Sequence, residues 1–426
     1  MRRSRRAVLT AGVSAMIAPL AGCSGGSGGS DGSDGSDGSG STGDSGGGPN
    51  PTVSIIEPRS GGFAVAGTPK WQASRLAFEE INEQGGIMGE EVEIFDPDPQ
   101  SKVDRTQQLV RRAIREKETD ALWCAVSSAT RAAVRPITTE FDQLYFYTQQ
   151  HEGGVCDKNV FIMGCVPSMQ ITPLMEHMVN NYGNTIYTIA ADYNFGQISA
   201  KWVKKLAQEL DAEVLAEEFI PVSVSDFSST IGNIQDADPD FVFSLLGGNN
   251  HASFYKQRST SGLEKQIATT THMVTDYSHI RLDSPALADV IATGSYMEEV
   301  DVGTNNEFIT RFYNRWPDAE YIAMDAYNNY FSAYMYKNAV EQAGTFEQEA
   351  VKEALRGVSY EAPLGEVSID AATQHCAQRV FMVQADDQHN VELLQEPTTF
   401  EPTWLRDTIG CNLQEEAESH KYTPTV

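Results

Sequence analysis

The sequence predicts an α/β protein of two doubly wound, Rossmann-like lobes. Three observations carry this. Short apolar β-rich runs alternate with amphipathic helices from Pro51 onward. Repeated units of that kind imply parallel sheets covered by helices on both faces. The runs are too many for one sheet, and 426 residues suffice for two separate cores.

The elements follow in order. TVSIIEP (52–58) reads as the first strand, and SGGFAVAGTP (60–69) as a glycine-rich turn. A helix over 70–84 puts Ala73, Leu76, Ala77 and Ile81 on one face, and Gly85-Gly86 stops it. EVEIFDPD (91–98) is the next strand. A helix over 103–117 follows, with Val103, Leu109, Val110 and Ile114 as its apolar stripe. ALWCAVSS (121–128) precedes a helix starting near 129, and LYFYTQQ (144–150) follows it. NTIYTIAADY (184–193), EVLAEEFIPV (213–222), PDFVFSLL (239–246) and KQIATT (265–270) complete the strands, with helices between them.

The N-terminus reads as an address and an anchor. Residues 1–23 combine four arginines with an apolar segment from Ala7 to Leu20, too short to span a bilayer. Arg5-Arg6 ahead of Ala7, Val8 and Leu9 resembles a twin-arginine export signal. Leu20-Ala21-Gly22-Cys23 resembles a lipobox, with the Cys23 thiol as the site of lipid attachment. Residues 24–50 are mostly Gly, Ser and Asp and read as a flexible tether. The expected location is the outer face of the cell membrane.

The formal net charge is -28, and arginine outnumbers lysine. Such a field repels nucleic-acid phosphates and anionic lipid. An evenly acidic, lysine-poor composition reads as adaptation to high salt, where screening within a few Å makes self-repulsion tolerable. With Cys23 assigned to lipid, Cys124, Cys156, Cys165, Cys376 and Cys411 remain. Cys156 can bridge to Cys165, and Cys376 to Cys411, but the sequence does not decide the connectivity. Cys124, inside ALWCAV, reads as a buried small hydrophobe.

There is no C-x-x-C, and His151, His272 and His375 lack ligand-like spacing, so neither metal nor cofactor is expected. An enzyme is not expected either. Ser27 falls in a G-x-S-x-G pattern of low complexity, and Ser253-Phe254-Tyr255-Lys256 matches S-x-x-K only inside a helix.

Ligands of doubly wound sheets bind beyond the carboxyl ends of the strands. Here those ends carry Ser127-Ser128, Tyr147-Thr148-Gln149-Gln150, Asp192-Tyr193 and Gly247-Gly248-Asn249-Asn250. Ser128 ends its strand just before a helix begins at Ala129, so its hydroxyl and the free N–H groups of that helix can hold a carbonyl or carboxylate oxygen.

An ordered set of motifs covers most of the chain beyond residue 51. AFEEINEQGGIMGEEVEIFDPDPQSKVDRT (77–106), SSATRAAVRPI (127–137), YFYTQQHEG (145–153), GCVPSMQ (164–170), ADYNFG (191–196) and APLGEV (362–367) follow one another. This set resembles the type I periplasmic binding-protein superfamily, in its branched-chain amino acid, amide and urea branch. The resemblance implies two lobes joined by three crossovers, near 165–170, 296–303 and 364–370. It places residues 51–166 and 298–366 in lobe 1, and 167–297 and 367–426 in lobe 2.

It further implies an extracytoplasmic substrate-binding lipoprotein that hands a small solute to an ABC permease. Tyr147, Gln149 and Gln150 match family contact positions, Tyr193 caps the ligand from the second lobe, and Ser60 and Gly62 are weaker candidates. The family more often has Pro at 148, Val or Thr at 149 and Tyr at 151. Its amino-acid binders pair the ammonium with a carboxylate after a second-lobe strand, where this chain has Thr270, Thr271 and His272, with Asp276 several residues later. That implies a neutral ligand, urea or a short-chain amide. The alternatives are a receptor for branched-chain or other amino acids, favoured if Asp276 reaches the cleft, and a ligand-presenting sensor lipoprotein.

Overall fold

The first strand, β1 (Thr52–Ile56), is an almost wholly buried apolar run, as a central parallel strand requires. α1 (Ala64–Glu83) follows, then β2 (Glu93–Phe95), α2 (Val103–Lys117), β3 (Ala121–Cys124), α3 (Ser128–Glu140), β4 (Tyr145–Tyr147), β5 (Val155–Cys156) and β6 (Val160–Ile162). α4 (Pro167–Tyr182) leads to β7 (Thr185–Ala191), α5 (Asn194–Glu209), β8 (Glu213–Ile220), α6 (Ser228–Ala237), β9 (Phe241–Leu245), α7 (His251–Ser261), β10 (Gln266–Thr269), α8 (Ser278–Arg281) and β11 (Ile291–Gly294). The chain continues through α9 (Asn305–Arg315), α10 (Met324–Ala343), α11 (Gln348–Leu355), β12 (Ser359–Ala362), β13 (Gly365–Ile369), β14 (Cys376–Ala385) and β15 (Val391–Phe400). It ends in α12 (Trp404–Ile409) and β16 (His420–Lys421).

These elements come from a computed structural model that describes residues 50–248, 250–402, 404–415, 420–421 and 424. The expected signal segment 1–23 with Cys23, the expected tether up to residue 49, and Asn249 lie outside the described residues.

The first sheet runs β2-β1-β3-β4-β6, all parallel. The second contains β8-β7-β9-β10-β11, also parallel. Both have the doubly wound order 2-1-3-4-5, whose switch point lies between the first and third strands. β14 adds antiparallel to β11, and β13 and β15 pair with β14. The chain passes between the sheets three times: after β6, after β11, and again around β12–β13, as the fold class requires. α10 packs along α1, which returns the 305–355 segment to the first sheet.

Three local expectations need correction. The stretch 60–69 is not all turn, because α1 already begins at Ala64. Gly67 is there for packing: a Cβ at this position would lie 2.1 Å from the Pro58 carbonyl oxygen. Val103 is exposed, so the buried side of α2 rests on Leu109, Val110 and Ala113. Finally, neither disulfide considered from the sequence forms. Cys156 bonds to Cys411, with Cα atoms 5.8 Å apart, while Cys124, Cys165 and Cys376 are buried free thiols. The tail makes this pairing by folding back: Leu405, Cys411 and Leu413 pack with Cys156, and β16 pairs with β5. Segment 404–413 therefore touches residues on both sides of the expected lobe boundary, since Trp404 also packs edge-on to Trp202 of α5.

Candidate functional site

The loops that leave the carboxyl ends of both sheets meet at one cleft. The first sheet contributes residues after β1, β3 and β4, and the second contributes residues after β7, β9 and β10.

On the first side, Ser127 is the N-cap of α3, its Oγ accepting from Thr130 N at 3.1 Å. That frees Ser128 from capping. Ser128 lines the cleft and donates its hydroxyl to Glu152, whose other oxygen accepts from Arg131 at 2.6 Å. The first amides of α3 have no intrahelical acceptor and offer a site for an oxyanion.

Gln149 and Gln150 line the same wall, held from below by α10. Asp325 accepts from Gln149 Nε2 and, at 2.9 Å, from Gln150 N. Asn328 donates to the Thr148 carbonyl at 2.9 Å. The side-chain oxygens of Gln149 and Gln150 are buried without a hydrogen-bond partner among the described residues. Deeper still, Lys70 pairs with Glu57 at 3.0 Å and donates to the Ala125 carbonyl at 2.9 Å, tying the ends of β1 and β3 together. Burial pushes the Asp325 carboxyl up to about 7 against the pull of Lys70.

Tyr147 stands behind the wall. It is fully buried, donates to the Val126 carbonyl at 3.1 Å, and carries the Arg131 guanidinium over its ring at 4.8 Å. Ser60 lies at the surface, donating to Asp98 at 2.7 Å, while Gly62 reaches the cleft.

On the second side, Tyr193 lines the cleft just before α5, with Phe195 beside it. A Cβ at Gly247 would lie 2.8 Å from the Tyr193 hydroxyl, so the glycine makes room for the ring.

Across from Ser128 stand His272 and Asp276, both considered from the sequence, and His251, which the sequence reading missed. His251 opens α7, and His272 and Asp276 lie in the turn after β10. All three are buried and line the cleft. Asp276 pairs with His251, and its Oδ2 is 3.8 Å from His272 Nδ1. Burial pushes the Asp276 carboxyl up, but the charge and hydrogen bond of His251, joined by His272, outweigh it and hold the group well below the usual carboxylate range. Burial, reinforced by His251, pushes His272 down to about 4. The spacing of His272 and Asp276, four residues apart, was the available signal; His251 carried none. Phe63, Val65, Val126, Phe195 and Leu246 make the rest of the lining apolar. Tyr327 and Tyr330 are core residues, stacked on Tyr296 and packed against Phe308 respectively.

The arrangement is two polar walls on different sheets with an apolar flank between them. A family model described as periplasmic binding protein matches residues 51–390. The chain belongs to the periplasmic binding protein family.

Among similar periplasmic binding proteins is Leu/Ile/Val-binding protein homolog 6 of Brucella melitensis. It is 22% identical over 349 residues, covering 79% of this chain and 88% of the relative. A solute binding protein of an ABC transporter from Rhodopseudomonas palustris, solved with 3,4-dihydroxybenzoic acid, superposes with a TM-score of 0.73 at 18% identity, covering 83% of this chain and 98% of that one. A branched-chain amino acid transporter substrate binding protein from Streptococcus pneumoniae, solved with isoleucine, gives 0.70 at 17%, covering 81% and 99%. The two solved structures are named as a solute binding protein and a substrate binding protein of transporters. Among the described residues, no helix is long and apolar enough to cross a membrane.

Proposed function

We propose that this protein is the extracytoplasmic, lipid-anchored substrate-binding component of an ABC transporter, and that its cleft takes a small α-amino acid with an apolar side chain. One observation carries the solute class: Asp276 lies in the cleft with Ser128 and the start of α3. An ammonium group taken out of water needs a counter-charge, and Asp276 supplies it. The α-carboxylate then meets the amides at the start of α3, and the side chain lies against Phe63, Val65, Phe195 and Leu246. The neutral-amide expectation depends on a cleft without a carboxylate, a condition that Asp276 does not meet. A short-chain amide is the second reading, favoured by the unpartnered Gln149 and Gln150 oxygens, which can accept amide N–H groups. Membrane anchoring rests on the Cys23 lipobox.

The test is thermal unfolding of the full chain in molar salt with leucine, isoleucine, urea or acetamide at low millimolar concentration. Binding to the folded state stabilises it by about 2.7 kcal/mol at a hundredfold excess over Kd. Leucine or isoleucine is expected to raise the midpoint, and Asp276→Asn to abolish the rise. A rise with urea or acetamide that survives Asp276→Asn selects the amide reading instead.

A further inference from the structure

His251, His272 and Asp276 form a cluster with a property the receptor reading does not use. One donor atom from each lies within 4.8 Å of the others, and all three side chains are buried. Two of the three are held from behind by their second polar atom. Asp276 Oδ1 accepts from Ser278 N at 3.1 Å and from Ser278 Oγ at 2.7 Å. His272 Nε2 lies 3.3 Å from Ser244 Oγ and 3.1 Å from Thr271 Oγ1. Asp276 Oδ2 pairs with His251 Nε2 and lies 3.8 Å from His272 Nδ1, while His251 Nδ1 is buried without a hydrogen bond among the described residues. Outer hydroxyls that fix an imidazole while its other nitrogen stays unengaged are the support a metal-ligating histidine needs.

We infer that His251, His272 and Asp276 bind one divalent transition-metal ion at the cleft wall, with coordination positions left open to the solute. Two imidazoles and a carboxylate suit Zn2+, Ni2+ or Co2+. Mg2+ and Ca2+ favour oxygen ligands. Ligand atoms of a tetrahedral Zn2+ site stand about 3.3 Å apart, so small rotations of these side chains close the set. With the ion bound, Asp276 is a ligand and no longer the counter-charge, so the metal-loaded cleft takes an α-amino acid in a second mode, as an N,O-chelator whose amine and carboxylate fill the open positions. Coordination of the amine releases one proton from the ammonium to solvent. The metal site itself stands on the three side chains, and the solute class rests on the receptor reading.

The test is calorimetric titration of the tag-free, chelator-stripped full chain with Zn2+, Ni2+ and Mg2+, followed by the Co2+ absorption spectrum. The expected result is one equivalent of Zn2+ or Ni2+, no heat with Mg2+, and at least a hundredfold weaker binding in both His251→Ala and His272→Ala. Ser244→Ala is expected to weaken it about tenfold. Asp276 also anchors the turn at Ser278, so His251→Ala is the deciding variant. Absence of Zn2+ binding, or binding undiminished in both histidine variants, overturns the site. Leucine-induced stabilisation measured in chelator separates the two readings. If it persists without any Zn2+ binding, the metal site falls and the receptor stands. If Zn2+ binds but no amino acid shifts the midpoint with or without it, the solute class falls and the metal site stands.

Discussion

The Cys156–Cys411 bond closes a loop across 255 residues of chain. Replacing both cysteines by serine leaves no odd thiol behind and frees the tail. In the chain-entropy relation, a loop of that length restricts the unfolded state by about 19 cal/mol/K, or about 5.5 kcal/mol at 25 °C. Unfolding entropy near 2.1 cal/mol/K per residue, over a body of roughly 370 residues, converts this into a fall in midpoint of about 7 °C. The figure is an upper one, because the tail can also come away locally. It is held by Leu405, Leu413, the Trp404–Trp202 contact and the short β5–β16 pair, a small apolar area. Local release caps the loss at the free energy of that opening and exposes the chain after Phe400 to protease. The assay is calorimetric melting of oxidised and Cys156→Ser/Cys411→Ser proteins, with limited proteolysis in parallel. Midpoints within 1 °C together with identical cleavage would refute the view that the bond clamps the tail.

Three further outcomes are expected. Gly164→Ala places a Cβ about 2.0 Å from the Gln149 carbonyl oxygen, so it should cost about 1–3 kcal/mol and weaken solute binding by displacing Gln149 and Gln150, read by denaturant midpoint and thermal shift. Asp325 keeps its proton when folded at pH values where the unfolded carboxyl, near 4, has lost it. Its contribution to stability is therefore full below about 4 and lost as pH rises through about 7, and Asp325→Asn should flatten the wild-type decline in urea midpoint over that window. Tyr193→Ala removes the ring from the second wall and should weaken binding at least tenfold with little change in the melting of the solute-free protein, measured by titration calorimetry.

β1–β4 and β7–β10 were legible in the sequence as short β-rich runs between helices, whereas β5 and β6, two and three residues long, were not read. The cleft positions of Ser128, Gln149, Gln150 and Tyr193 followed, because a strand end in a doubly wound sheet is a place as well as a sequence position. What escaped depended on long-range contact. The start of α1 at Ala64 is set by Gly67 against Pro58, not by propensity. Tyr147 ends a strand but points beneath the floor, where Val126 takes its hydroxyl. The 359–400 hairpins present mixed faces, and the exposed β15 carries little apolar signal. Asp276 reaches the cleft only because the chain after β10 turns back through Thr271–Ser278. The partner of Cys156 lies on a tail whose return no local pattern announces.

In the proposed site the cleft lining is divided between the sheets: Ser128, Gln149 and Gln150 belong to one, and Tyr193, His251, His272 and Asp276 to the other. If both halves must meet the solute, the expected affinity is the intrinsic affinity scaled by the fraction of molecules whose halves are in register. This separates two kinds of mutation that a single Kd confuses. A change at a bond between the sheets, such as that from Gln378 of β14 to the Met163 carbonyl after β6 at 2.9 Å, is expected to rescale affinity for every solute by the same factor. A change in the cleft reorders solutes relative to one another. Selectivity and sensitivity can therefore drift independently in this chain, one written in the loops and the other in the connections between sheets.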